Sequence, residues 1–144
     1  MSFLNSLDIT GSALTAENYR MSLISQNLAN SSTTKTENGG PYKRKQAVFE
    51  ERSLSFSEVL NGEMNAQTKG GVRVSQVVES DAPFVPVYDP AHPHADENGY
   101  VMYPNVNSTE ELTDLMAATR AYEANITALN AIKAIAAKAL EIGK

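Results

Sequence analysis

The sequence predicts a mainly α chain with a small β-rich insert, an α+β fold. Its long N- and C-terminal helices are expected to pair as an antiparallel coiled coil, with an irregular β domain between them. Three observations predict this. The last stretch, Ser108 to Ile142, contains neither Pro nor Gly and repeats apolar residues at helical spacing. The first thirty or so residues carry a second seam of the same kind. Between the two lie Val-rich runs, Gly turns and all six of the chain's Pro. The boundaries read as 1–34 for the first helix and its turn, 35–107 for the small domain and 108–144 for the last helix.

In the first helix, Phe3, Leu7, Thr10, Leu14, Glu17, Met21, Ile24 and Leu28 alternate by four and three without a slip. Thr10 and Glu17 weaken the seam, and its simplest meaning is a core face. Only the C-terminal helix is long enough to cover it. The helix runs out in Asn27-Leu28-Ala29-Asn30-Ser31-Ser32-Thr33-Thr34, because Asn, Ser and Thr side chains compete for backbone hydrogen bonds and favour turns.

Asn38-Gly39-Gly40-Pro41 is a turn signal. Tyr42 to Glu51 follows, with Ala47, Val48 and Phe49 as a short strand. Residues 52–70 are polar and weakly patterned, and mobility is expected there. Leu54, Phe56, Val59 and Leu60 suit either a strand or a short helix, and Asn61-Gly62 and Lys69-Gly70-Gly71 are turns. Val72 to Glu79 is the best strand, rich in Val and alternating at its start. From Asp81 to Asn105 the repeated Pro residues remove amide donors and exclude a helix or a central strand. Phe84, Val85, Val87 and Tyr88 suit an edge strand. Tyr100 to Tyr103 suits another, after the Glu97-Asn98-Gly99 turn.

The last helix opens on a double cap. Either Asn107 with Glu110 or Ser108 with Glu111 has the reciprocal capping spacing. Glu110, Glu111 and Asp114 crowd its first turns and Lys133, Lys138 and Lys144 lie near its end, an order that suits the helix dipole. Gly143 is placed as a stop. Leu112, Leu115, Thr119, Tyr122, Ile126, Leu129, Ala136 and Leu140 form its stripe, and Ile132, Ile135, Ala139 and Ile142 widen it. Such a helix reaches roughly 50 Å at 1.5 Å per residue. Its stripe needs a second helix of this chain, neighbouring copies, or both.

Composition excludes several classes. No run of about 18 apolar residues exists to span a membrane. The first residues lack the basic region and unbroken apolar run of a cleaved secretory signal. With no Cys there are no disulfides or thiolate metal sites. Residues 46–107 carry nine acidic groups against three basic ones, which argues against a nucleic-acid surface. Lys43-Arg44-Lys45 is the one basic run and reads as a solvated turn or a subunit contact.

Chemistry is hard to find. Asp89-Pro90-Ala91-His92-Pro93-His94-Ala95-Asp96-Glu97 holds both His residues, and alternating His92 and His94 would suit a metal site. A Pro-rigid surface turn with Asp and His bonded to the backbone accounts for the same residues. Nucleophile elbows, phosphate loops and zinc-helix motifs are absent. Adjacent Glu50 and Glu51 would face opposite ways on a strand. No catalytic residue, cofactor site or metal site is assigned.

Three blocks of sequence carry a resemblance. The first is Asn27-Leu28-Ala29-Asn30, then Thr33-Thr34 and Gly39-Gly40-Pro41-Tyr42-Lys43-Arg44-Lys45. The second is Val87-Tyr88-Asp89-Pro90, then His92-Pro93, Ala95-Asp96, Gly99-Tyr100-Val101 and Pro104-Asn105-Val106-Asn107. The third is Glu110-Glu111-Leu112, then Met116 to Asn125 and Leu129-Asn130. Together they resemble flagellar basal-body rod proteins of the FlgC type, with the blocks in order over nearly the whole chain and residues 52–70 matching least. The resemblance implies a structural subunit of the proximal rod and not an enzyme. It implies an inner layer of paired end helices with a small domain outside, and export through the flagellar type III apparatus without a cleaved signal. Implied partners are further copies of the chain, other rod proteins, the rod–ring adaptor and the export apparatus. Asn27, Ala29, Asn30, Thr34, Gly39, Gly40, Pro41 and Tyr42 are its motif residues. Phe3 and Leu7 resemble the Phe-x-x-x-hydrophobic element used at the export gate. The expected assembly seam is Phe3, Leu7, Leu14, Met21, Ile24, Leu28, Leu112, Leu115, Tyr122, Ile126, Leu129, Ile132 and Leu140. A hook-type or needle-type axial component, or a metal-binding module at His92 and His94, are the alternatives.

Overall fold

A computed structural model of the chain describes residues 3–37, 39–53 and 70–142. Asn38 of the first expected turn, the undecided Leu54, Phe56, Val59 and Leu60, the Asn61-Gly62 turn, Lys69 and the Gly143 stop lie outside the described residues. The element order is α1 (Phe3–Ala29), β1 (Lys45–Glu51), β2 (Val72–Glu79), β3 (Val85–Tyr88), β4 (Tyr100–Tyr103) and α2 (Ser108–Ile142). The fold is α+β, with two long helices packed together and two small sheets between them in sequence.

Helix α1 tolerates its Thr residues by turning them back on its own carbonyls. Thr10 Oγ1 donates to Ser6 O at 2.7 Å and Thr15 Oγ1 to Gly11 O at 3.0 Å. Its end is tied by Asn30, whose backbone N–H (3.1 Å) and side-chain amide (2.9 Å) both donate to Gln26 O. Helix α2 resolves its two capping options in favour of Asn107. Asn107 Oδ1 accepts the Thr109 N–H at 3.0 Å, and its carbonyl accepts the Glu111 N–H at 3.0 Å. The Glu111 carboxylate is engaged elsewhere, as described below.

Strands β1 and β2 form one two-stranded sheet. Backbone bonds from Arg52 N–H to Gly71 O (3.0 Å) and from Ser80 N–H to Arg44 O (2.8 Å) run them in opposite directions. Strands β3 and β4 pair antiparallel in the register Val85–Tyr103, Pro86–Met102, Val87–Val101 and Tyr88–Tyr100.

The chain forms two compact units. The first draws its described residues from 1–19, 48–76 and 118–144, and the second from 20–47 and 77–117. In the first unit the Ser12 hydroxyl donates to Ile9 O at 2.7 Å and accepts the Val72 N–H at 3.1 Å. Gly71 adopts φ +131°, and a Cβ there would come within 2.6 Å of that hydroxyl. The second unit buries Leu23, Ile24, Tyr42, Val101 and Pro104 together with the polar Asn27 and Glu111.

The face that α2 covers within the chain is turned by about one residue from the most apolar stripe. The buried or half-buried positions include Glu111, Leu115, Ala118, Tyr122, Asn125, Leu129, Ile132 and Ala136, which alternate by four and three, with Asp114 and Ala121 beside them. Leu112, Thr119 and Ile126 give way to Glu111, Ala118 and Asn125. The physical reason is that Glu111 is neutralised where it lies and Ala118 takes little space, so polar and small residues serve as inward positions.

Candidate functional site

Asn27 sits at the centre of the second unit's polar core. It lies in the last turn of α1, 1% exposed. Its Oδ1 accepts hydrogen bonds from the Tyr42 hydroxyl and from the Lys45 N–H, both at 2.9 Å. Its Nδ2 donates to Lys45 O at 2.9 Å and to Glu111 Oε2 at 3.0 Å. All four hydrogen-bonding positions of the amide are filled. Toward Lys45 the side chain acts as a strand partner would, taking both the N–H and the C=O of the first residue of β1. One amide thus joins the end of α1, the start of β1 and the start of α2.

Glu111, 0% exposed, continues the network. Its Oε1 accepts a charge-assisted hydrogen bond from Arg44 Nε, and Arg44 Nη2 reaches Asp114 Oδ2 at 3.0 Å. Burial alone works against the Arg44 charge. The hydrogen bond and charge of Glu111, with Asp114 and Glu110, outweigh that and hold the guanidinium above its ordinary pKa. The Tyr42 phenol is also raised, first by burial and then by the negative charges of Glu111 and Glu79.

A second amide repeats the device. Asn105 Oδ1 accepts the Arg44 N–H at 2.8 Å, and its Nδ2 donates to Ser80 O at 3.1 Å and Ala82 O at 2.9 Å. Around the motif turn, Thr36 N–H and Oγ1 both donate to Gly40 O (2.8 and 2.9 Å), and Tyr42 N–H donates to Thr33 O at 3.1 Å. Gly39 needs φ +88° there. The remaining motif residues are placed around this turn. Thr34 hydrogen-bonds His94, Thr33 Oγ1 donates to Asn30 Oδ1 at 3.2 Å, Ala29 is exposed and Pro41 is half-buried.

Arg44 corrects the reading of Lys43-Arg44-Lys45 as a solvated turn. Its side chain is mostly covered, because two α2 carboxylates converge on it. Lys45 opens β1, with its ammonium 5.7 Å from the Tyr42 ring centroid. The available signal was the position of Glu111, in register with Leu115, Tyr122 and Leu129, where an acidic residue needs a buried cation.

The expected seam residues divide. Ile24 is buried, whereas Leu7, Leu14, Met21, Leu28, Leu115, Tyr122, Leu129 and Ile132 are half-buried. Phe3, Leu112, Ile126 and Leu140 are exposed, Leu140 at 77%. Met116 and Ile135 of α2 are exposed as well.

His92 and His94 form a local turn. The His94 N–H donates to His92 Nδ1 at 3.1 Å, which places the proton of a neutral His92 on Nε2. His94 Nδ1 lies 2.9 Å from Thr34 Oγ1, and the rings meet edge to face at 5.3 Å. Among the described residues no group of three or more His, Cys, Asp or Glu side chains is arranged to hold a metal ion. No described helix is long and apolar enough to cross a membrane.

The chain thus combines long end helices with an amide-centred polar core. The family model described as the C-terminal domain of flagellar basal body rod FlgEFG proteins matches residues 97–142, spanning β4 and α2. Over its full length the chain is 46% identical to the flagellar basal-body rod protein FlgC of Bacillus subtilis, which it also covers in full. It is 42% identical to FlgC of Escherichia coli O157:H7, again covering all of both chains. With FlgC of Borreliella burgdorferi it shares 38% identity, over 99% of this chain and 98% of that one. The chain belongs to the FlgC family of flagellar basal-body rod proteins.

Proposed function

We propose that the chain is a structural subunit of the proximal rod of the bacterial flagellum, with a mechanical rather than a catalytic role. The geometric observation that carries this reading is the exposed apolar surface of α2. Leu112, Met116 and Ile126 are exposed outside the covered face of α2, and Ile135 and Leu140 are exposed toward its C-terminal end. A chain built to work alone has little reason to leave so many large apolar side chains in water, and neighbouring helices in a shaft would cover them. Burial of that surface, at roughly 25 cal/mol per Å², is the force that holds subunits together. In this reading the end helices, 1–34 and 108–144, form the inner layer of the rod and residues 35–107 its small outer domain. Partners are further copies, other rod proteins, the rod–ring adaptor and the flagellar export apparatus, which engages Phe3 and Leu7 during type III export. The test is a deletion strain. Expression of this chain in a mutant lacking its own FlgC should restore rods in isolated basal bodies and swimming in soft agar. Export of the chain without rod formation would sink the reading.

A further inference from the structure

One face of the β3–β4 sheet carries a pair of exposed tyrosines. Its register places Pro86, Tyr88, Tyr100 and Met102 on the same side, because directly paired residues share a face. All four are exposed, Tyr88 at 65% and Tyr100 and Met102 at 44% each. The opposite face carries Val101, buried in the second unit, beside Val85 and Val87, which are exposed. The tyrosine face is a built surface. The Tyr88 and Tyr100 rings meet edge to face at 5.3 Å. Gly99, at φ +80°, lets the Tyr88 ring pass so close that a Cβ there would stand 3.0 Å from it. Two aromatic rings already ordered lose little entropy on binding, which is the chemistry of interface hot spots.

Charge says what fits. From Val74 to Thr119 the chain has no Lys or Arg and eight carboxylates. Glu111 and Asp114 are neutralised by Arg44. Asp81, Asp89, Asp96 and Glu97 form no ion pair among the described residues. Two of these are fixed beside the tyrosines. Asp96 Oδ1 accepts the Tyr100 N–H at 2.8 Å, and the Asp89 N–H donates to Gly99 O at 3.0 Å. Acidic groups around exposed aromatic rings attract Lys and Arg by charge and by the ring faces. Two copies of this face repel each other, and an anionic lipid surface is repelled as well.

We propose that the tyrosine face of the β3–β4 sheet is a docking surface for a protein partner that presents Lys or Arg side chains around an apolar residue. Within the reading of the chain as a rod subunit, the partner is a basal-body component that meets this face and not the helices. The probe is the photo-crosslinker p-benzoylphenylalanine at Met102, with Tyr88 as a second position, in the full chain expressed in a flagellated cell. Basal bodies are purified first, and presence of the unsubstituted chain in them checks the rod reading by itself. Illumination should then give one major protein adduct at both positions, and its cross-linked peptide should contain Lys or Arg. Asp96→Asn with Glu97→Gln, which keeps the acceptor for the Tyr100 N–H, should lower the adduct yield at least fivefold while the chain remains in basal bodies. Incorporation with no adduct at either position would overturn the proposal. So would a contact peptide without basic residues, an adduct with lipid or with the same face of another copy, or a yield unchanged by the neutral pair.

Discussion

At the scale of single residues, amide side chains do what a larger core would do with apolar contacts. Asn27→Ala removes the partner of two backbone groups of Lys45, the Tyr42 hydroxyl and the Glu111 carboxylate at once. Each buried group left unpaired costs about 1–3 kcal/mol. The expected loss is therefore more than about 3 kcal/mol, read as a shift of the denaturant midpoint. Asn27→Asp should fare little better, since it sets a carboxylate without donors beside Glu111. Tyr42 gives this core a pH dependence. Its folded pKa lies above the ordinary value of 10.0, so the unfolded chain releases that proton first. Stability from this group is complete below about pH 10 and is lost as pH rises through the folded pKa. In Tyr42→Phe the alkaline fall should be shallower. A wild-type slope equal to that of the variant between pH 9 and 11 would contradict the assignment.

At the scale of elements, α2 has a covered side and exposed apolar residues outside it. Its inward side closes at Ala118, which has no exposed surface. Ala118→Leu should overpack this position and cost about 1–3 kcal/mol in thermal or denaturant unfolding of the isolated chain. Met116→Asp tests the exposed residues. Met116 is exposed, so the isolated chain should keep its stability to within about 0.5 kcal/mol. If these residues pack against rod neighbours, the same variant should be exported yet fail to enter basal bodies. Full incorporation of Met116→Asp would show that this exposed surface is not an assembly surface. The elements themselves were legible because each rests on local pattern. The Val-rich run predicted for 72–79 is β2 to the residue, and the uninterrupted helix predicted from Ser108 is α2. Long-range pairing was less legible. Nothing local to Lys43-Arg44-Lys45 announces carboxylates 67 and 70 residues away.

At the scale of the whole molecule, the balance of buried and exposed apolar groups bears on order before assembly. Among the described residues six apolar side chains are buried, while seventeen large ones are exposed. Fixing each backbone residue costs roughly 1–2 kcal/mol of entropy, which a thin layer of helix recovers poorly without neighbours. The sequence alone leads one to expect a folded middle, near 42–107, with mobile ends that order on assembly. The Asn27–Glu111 tie places the inner end of each helix with the folded part. Hydrogen exchange on the dilute monomer should therefore be slow near residues 23–28, 42–46 and 111–115. It should be fast beyond about residue 125 of α2. Uniformly slow exchange along α2 would mean that the helix is stable without rod neighbours.

The sequence by itself determined the element order, the class of fold and the turns at Gly39 and Gly99. Those properties depend on spacing, Pro and Gly within a few residues of one another. It also carried the family resemblance, which lies in the order of three linear blocks. The tertiary structure decided which face of α2 turns inward, which motif residues meet and which carboxylates stay unpaired. Inward orientation places Glu111 out of water, although its charge by itself favours solvent. Only a fold that brings Arg44 and Asn27 to its carboxylate can neutralise it out of water, and no local pattern records that meeting.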